Sequence, residues 1–233
     1  MLKHIDVAHL YFDLDHTLWD FETNSKSAFE TILKSHAFPF TVDAFMKVYT
    51  PNNHKYWKAY RENRIDTQEL RYLRLSTTFN TLKTDVSDQT IHQLSEAYIQ
   101  ELSNFTALFP GTIEVLGALK KKYHLHIITN GFDAVQHKKL ENSQLKQFFT
   151  SVTTAEAVGC KKPQPEIFEM ARRKEGVAPH QAVMIGDSLE ADILGGLKDG
   201  MQAIHFNSHH EPEHDKCPII YDLSELQSLL LPE

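Results

Sequence analysis

The stretch Leu10-Tyr11-Phe12-Asp13-Leu14-Asp15-His16-Thr17-Leu18 constrains the chain most, because an apolar run ends there in two carboxylates one residue apart. A short apolar run with no polar alternation reads as a strand buried on both faces, which is the habit of parallel sheets. Residues two apart on a strand point the same way, so Asp13 and Asp15 are expected to leave one sheet edge together. Two unit charges about 4 Å apart repel by ~4 kcal/mol at an effective dielectric near 20, so such a pair needs a cation, a shared proton or water. A solvated strand end with a turn at Thr17 is the plain alternative.

Length and composition limit what the pair can be. The chain has 233 residues, enough for one large domain or one domain with an insert. It is 41% hydrophobic and 24% charged, as ordinary globular proteins are. A formal charge of -7 argues against nucleic-acid polymers and membrane surfaces as partners, while leaving room for small anionic substrates. Cys160 and Cys217 cannot form a disulfide framework. Met1 to Asp6 carries no apolar signal region and no apolar run reaches membrane-spanning length, so the expectation is a cytoplasmic protein. A monomer or weak homo-oligomer is the default state, which no motif in the sequence fixes.

Along the chain, Trp19 to Asn24 reads as irregular, and from about Ser25 to Leu102 the pattern is helical throughout. Asp66-Thr67-Gln68-Glu69 has the spacing of a capping box, followed by Leu70, Leu73 and Thr77 on one face. Ile91, Leu94, Tyr98 and Leu102 make a second helical stripe, and Thr41 to Tyr60 reads as helix interrupted near Pro51. Arg61, Arg64, Arg71 and Arg74 suit the wet face of such a bundle, although one could reach a phosphate. From Phe109-Pro110-Gly111 the pattern alternates strand and helix, with strands at Leu125 to Thr129, around Ser151 to Thr153, at Ala182 to Ile185 and at Ala203 to Phe206. The expected architecture is therefore an α/β core of residues 1–18 and 105–233, built on a Rossmann-like parallel sheet, with an all-helical insert over 19–104.

Three strong strands end in Asp13, Thr129 and Asp187, and in open parallel sheets ligands bind beyond those ends. If the strands are neighbours, Asp13, Asp15 and Asp187 share one edge, with Asp192 one helical turn further on. An oxygen-only acidic set is what Mg2+ selects. The Thr129 hydroxyl, the backbone donors of Asn130 and Gly131 before a helix, and the Lys162 ammonium, fixed by Pro163, suit a phosphoryl group. A carboxylate attacking phosphorus gives an aspartyl phosphate, so the set reads as phosphoryl transfer.

In this order, Asp13-Leu14-Asp15-His16-Thr17-Leu18, Thr129-Asn130-Gly131, Lys162-Pro163 and Gly186-Asp187-Ser188-Leu189-Glu190-Ala191-Asp192 resemble the motifs of the haloacid dehalogenase superfamily, across nearly the whole chain. The resemblance implies that Asp13 is nucleophile and metal ligand. It implies that Asp15 is the general acid and base, binding the metal through its backbone carbonyl, and that Thr129 and Lys162 hold the phosphoryl group. By the same resemblance Asp187 would ligate Mg2+, with Asp192 and Ser188 supporting it from behind, and the helical insert would be a cap. His16 stands where the superfamily often has glycine.

Asp15 to Asp20 and Asn53-His54-Lys55-Tyr56-Trp57 most resemble a subgroup of nucleotidases acting on pyrimidine nucleoside monophosphates, in which Phe21, Tyr56 or Trp57 would stack on a base. Packing between helices is the competing role for Trp57. Phosphatases of phosphoglycolate or sugar phosphates, and phosphomutases, share the same core residues. A dehalogenase of the superfamily works without Mg2+ and usually lacks the second acid, and a phospho-receiver domain is about half this length. Asp13 and Asp15 do not begin an EF-hand, because Leu18 stands where that loop requires glycine. His205, His209, His210, His214 and Cys217 fit no structural zinc spacing and read as loop.

Overall fold

In the computed structural model, residues 6–231 are described. Met1 to Ile5, most of the segment read above as lacking an apolar signal region, lies outside them. The chain forms two compact units, one running to Asp20 and resuming at Thr106, the other Phe21–Phe105. The first unit thus keeps Trp19 and Asp20, two residues beyond the expected boundary, because the amides of Leu18 and Trp19 both turn back onto the Leu14 carbonyl at 3.0 and 2.9 Å and bury the indole. Among the described residues, no helix is long and apolar enough to cross a membrane.

Strand β1 is His9–Phe12. Four helices follow and make up the second unit: α1 (Phe21–Leu33), α2 (Val42–Arg61), α3 (Thr67–Thr81) and α4 (Asp88–Leu102). The stretch expected to be irregular is helical from Phe21, because Phe21, Asn24, Ser25, Ala28, Phe29 and Ile32 share one buried face at helical spacing. Helix α2 runs unbroken through Pro51. The exposed proline costs one backbone hydrogen bond, while Thr41 caps the start and Phe45 and Tyr49 pack on the Phe29 ring at 4.7 and 4.5 Å, so tertiary packing overrides the breaker. The capping box of Asp66 and Glu69 is present, with bonds of 2.8 and 2.9 Å. The buried face of α3 is Leu70, Arg74, Leu75, Thr78 and Phe79, rotated from the expected Leu73 and Thr77, and Arg74 belongs to the interior instead of the wet face. Ile91, Leu94, Tyr98 and Leu102 are buried on α4 as their spacing requires.

The first unit continues with α5 (Thr112–Leu119), β2 (His124–Thr129), α6 (Asp133–Asn142), β3 (Ser151–Thr154), α7 (Ala155–Val158), α8 (Pro165–Lys174) and β4 (Ala182–Gly186). A π-helical segment, Leu189–Leu194, leads into α9 (Gly195–Lys198), and β5 (Gln202–Phe206), β6 (Ile219–Ile220) and α10 (Glu225–Leu230) complete the unit. The six strands form one sheet in the order β3-β2-β1-β4-β5-β6, and every pairing is parallel. Phe12 lies in register with Ile127 on one side and Ile185 on the other, so the three strong strands are adjacent and end together. One face of the sheet, through Tyr11, Ile128, Ala182 and Met184, packs on Ile167, Phe168 and Ala171 of α8. Leu10, Phe12, Ile127 and Ile185 alternate to the other face and are fully buried too, which is why these strands carry no polar alternation. Strand β6 escaped the sequence reading because two residues are too short for any period.

Candidate active site

Asp13 follows β1 directly, and its amide extends the ladder by one bond, 2.9 Å to the Ile185 carbonyl. That places its carboxylate at the shared end of β1 and β4, where Asp187 follows Gly186. The oxygens of Asp13, Asp187 and Asp192 lie within 4.8 Å of one another. Lys162 closes the cluster: its buried Nζ donates to Asp13 Oδ1 at 2.5 Å and to the Ile128 carbonyl at 2.8 Å, and it lies 2.6 Å from Asp192 Oδ1. Asp187 accepts from Thr17 Oγ1 at 3.2 Å and lies 3.3 Å from His209 Nε2.

These groups share too little countercharge to be at rest. Burial pushes the Asp13 carboxyl well above the usual carboxylate range against the pull of Lys162, and Asp192 and Asp187 push it the same way. Asp192 is likewise raised by burial. Burial opposes the Lys162 ammonium as well, but Asp13 and Asp192 outweigh it and hold its pKa above the ordinary lysine value. Burial would also raise Asp187, yet His209 and His16 bring it below the usual range. Three buried or half-buried carboxylates facing one ammonium, all offering oxygen, fit a hard divalent cation such as Mg2+. Asp192, expected to support the metal from behind, is grouped with Asp13 and Asp187 themselves.

Asp13 and Asp15 leave the same sheet edge, but their carboxylates pair with different lysines, Asp13 with Lys162 and Asp15 with Lys139. The strand ends at Phe12, the chain turns at Leu14, and His16 adopts a left-handed backbone with φ 64°, so this position keeps a conformation that favours glycine while carrying a histidine. Asp15 is turned toward α6, where Oδ1 accepts from Lys139 Nζ at 2.6 Å and Oδ2 from Gln136 Nε2 at 3.0 Å. The same Gln136 amide donates to Thr129 Oγ1 at 2.7 Å, which also receives the Gly131 amide at 3.1 Å.

Asn130 has a more definite task than its position foretold. Its side chain bonds the Lys162 backbone twice, Oδ1 accepting at 2.8 Å and Nδ2 donating at 3.0 Å, and so fastens the lysine loop to the end of β2. Two glycines are set by close approach. A β-carbon at Gly131 would overlap the Gln136 side chain, and one at Gly186 would overlap the Asp192 carboxylate. Ser188 caps the following turn, its hydroxyl taking the Ala191 amide at 3.1 Å while its own amide donates to Asp192 Oδ2 at 3.0 Å.

The aromatic residues proposed for base stacking belong to the helical unit. Phe21 is buried there, the Tyr56 hydroxyl meets Thr77 Oγ1 at 2.7 Å and so ties α2 to α3, and Trp57 packs edge-on against Tyr60 at 5.6 Å. Sequence reasoning missed Gln136 and Lys139, and read His205 and His209 as part of a loop cluster, whereas His205 lies on β5. The first two stand three apart on α6, a spacing that puts them on one face, but that helix is mostly polar and only the tertiary packing turns this face inward. The buried His205 ring contacts the Asp187 carbonyl at 2.8 Å and His214 at 3.0 Å, which gives part of the C-terminal histidine cluster a place beside the acidic set. Cys160 packs partly buried against the core, and burial raises its thiol pKa, which disfavours the thiolate.

The sequence profile of haloacid dehalogenase-like hydrolases matches residues 10–206, and the chain belongs to that family. It is a hydrolase. Among its relatives, the pyrimidine 5'-nucleotidase YjjG of Escherichia coli is 29% identical over 94% of this chain and 95% of its own. The pyrimidine 5'-nucleotidase PynA of Streptococcus pneumoniae is 31% identical over 95% of this chain and 92% of its own. The magnesium-bound crystal structure of the putative hydrolase YfnB from Bacillus subtilis superposes with a TM-score of 0.87 at 26% identity, covering 97% of this chain and 99% of that one.

Proposed function

We propose that the protein is a Mg2+-dependent phosphomonoesterase working through a phosphorylated Asp13, and that its substrates are pyrimidine nucleoside 5'-monophosphates. The observation that carries this reading is the meeting of Asp13, Lys162, Asp187 and Asp192 at the common end of adjacent parallel strands. Two relatives named as pyrimidine 5'-nucleotidases, each similar over nearly the full chain, support the choice of substrate.

In this mechanism Asp13, Asp187 and the Asp15 carbonyl would hold the cation, and Asp192 would steady the set. The cation, when bound, draws charge from the phosphoryl oxygens and keeps Asp13 ionised. An Asp13 carboxylate oxygen forms a bond to phosphorus while the bond to the ester oxygen breaks, and Asp15 gives that oxygen its proton. In the second step Asp15 takes a proton from water, the water oxygen bonds phosphorus, and the Asp13 acyl phosphate breaks to release inorganic phosphate. Thr129, the Gly131 amide and Lys162 bind the phosphoryl oxygens. The helical unit takes the cap role of the family.

The test is phosphate release from uridine and thymidine monophosphates, sugar phosphates and phosphoglycolate, with and without Mg2+. Expected are preference for the pyrimidine nucleotides, loss of activity in chelator with recovery on Mg2+, and acid-stable labelling of Asp13 from radiolabelled substrate. Asp13→Asn should lower turnover by at least ~10³-fold with the fold intact. Activity retained by that variant, or isomerised sugar phosphate in place of free phosphate, would overturn the assignment.

A further inference from the structure

Gln136 and Lys139 stand at i and i+3 on α6 and grip the two oxygens of one carboxylate, Lys139 on Oδ1 at 2.6 Å and Gln136 on Oδ2 at 3.0 Å. Neither is a surface contact: the Lys139 side chain is 2% exposed and Gln136 is fully buried. The lysine ammonium also lies 4.2 Å from the centre of the buried Trp19 ring, so it is enclosed between an aromatic face and Asp15. A buried lysine is costly unless paired, and this one is paired to the carboxylate beside the nucleophile. Through its amide, Gln136 further ties Asp15 to Thr129, while Gln136 Oε1 has no hydrogen-bond partner, so the side chain is oriented for donation.

We infer that Lys139 and Gln136 are positioning residues: together they fix the plane and place of the Asp15 carboxylate so that it meets the proton of the attacking water. The inference rests on the reading of Asp15 as the acid and base given above. Helix α6 starts just after Thr129, Asn130 and Gly131, so one rigid element sets both the phosphoryl side and the proton-handling side of the site. Small misplacement of a catalytic group costs orders of magnitude in rate, which is the reason for two donors where solvent alone would keep the charge soluble.

The test separates the two chemical steps. The leaving group of p-nitrophenyl phosphate departs without a proton, so phosphoenzyme formation, seen as a burst of nitrophenolate, does not need Asp15, whereas phosphoenzyme hydrolysis does. In Lys139→Met the burst rate is expected within about fivefold of wild type while steady turnover falls about 10²-fold. Lys139→Arg should recover part of the turnover, and Gln136→Met, a smaller disturbance to folding, should lower it about tenfold with the burst kept. A merely structural role would slow burst and turnover together, and that result overturns the inference. Asp15→Asn is the control. If it shows a burst with slow turnover while the Lys139 and Gln136 variants turn over like wild type, the positioning role alone falls. If Asp15→Asn turns over like wild type, the acid-base reading fails and the inference falls with it.

Discussion

Charge is buried differently in the two units. In the α/β unit buried charges come in opposed sets, Lys162 with Asp13 and Asp192, Lys139 with Asp15, and Arg172 with Asp199 at 2.5 and 2.8 Å. In the helical unit the buried charge is Arg74, which makes one long hydrogen bond to Asn53 Oδ1 at 3.4 Å and lies 5.0 Å above the Tyr98 ring, with Nε and Nη2 unpartnered. Around it Phe29, Phe45, Tyr49 and Tyr98 form an aromatic interior. The contrast teaches that a parallel sheet forces polar chain ends into one place, where they must neutralise each other, whereas a bundle is held by apolar stripes and tolerates an isolated polar group where two hydroxyl-bearing rings and an amide are near.

Variants can break or sharpen that contrast. Lys162→Met should have the largest effect, a loss of about 3–5 kcal/mol in divalent-free buffer by denaturant unfolding, because Asp13 and Asp192 are then left buried without their cation. Added Mg2+ should return part of that loss. His126 comes next. It is buried between Ser151 Oγ at 2.8 Å and His9 at 3.0 Å, and burial, aided by His9 and His124, lowers its pKa to about 3. The folded state thus favours the neutral ring. Its contribution is fully present above the unfolded value of 6.5 and declines as pH falls toward about 3, since the unfolded chain binds the extra proton in that window. Removing it in His126→Gln should flatten the stability profile between pH 5 and 6.5 by about 1 kcal/mol per unit relative to wild type, the slope being half the limiting value at 6.5 where the unfolded ring is half protonated.

In the helical unit, Asp66→Ala should cost about 1 kcal/mol through loss of the cap, read from the thermal midpoint. Arg74→Met should be smallest, under about 1 kcal/mol, because Asn53 Oδ1 keeps its bond from the Tyr49 hydroxyl at 3.3 Å and no buried carboxylate is orphaned. A loss as large as that of Lys162→Met would erase the difference between the units and mark Arg74 as a paired charge.

Much of the site was legible in sequence because its residues sit at the ends of strands whose apolar runs announce them. Asp13, Thr129 and Asp187 each follow such a run directly, and Lys162 is fixed by an adjacent proline. The stripe of α4 and the cap of α3 were equally local. The face of α3 was less clear, since Leu73 and Thr77 satisfy the same period as Leu70 and Phe79 until a neighbouring helix chooses between them. Pro51 misled for a related reason: the penalty of a proline is local, and the aromatic packing that outweighs it comes from α1 and α3.

By itself, then, the sequence determined the buried strands, the helical insert, the oxygen-rich chemistry of the strand ends and the family they belong to, because each is written in neighbouring residues. Tertiary structure alone decided which lysine serves which aspartate. Asp15 and Lys139 are 124 residues apart, and Asp13 and Lys162 are 149 apart. Only the parallel order of β2, β1 and β4, and the turn at Leu14 that sends Asp15 toward α6, bring each pair within a hydrogen bond; carboxylates that differ by two positions in the chain acquire different partners because the strand has already ended at Phe12 and the chain turns between them.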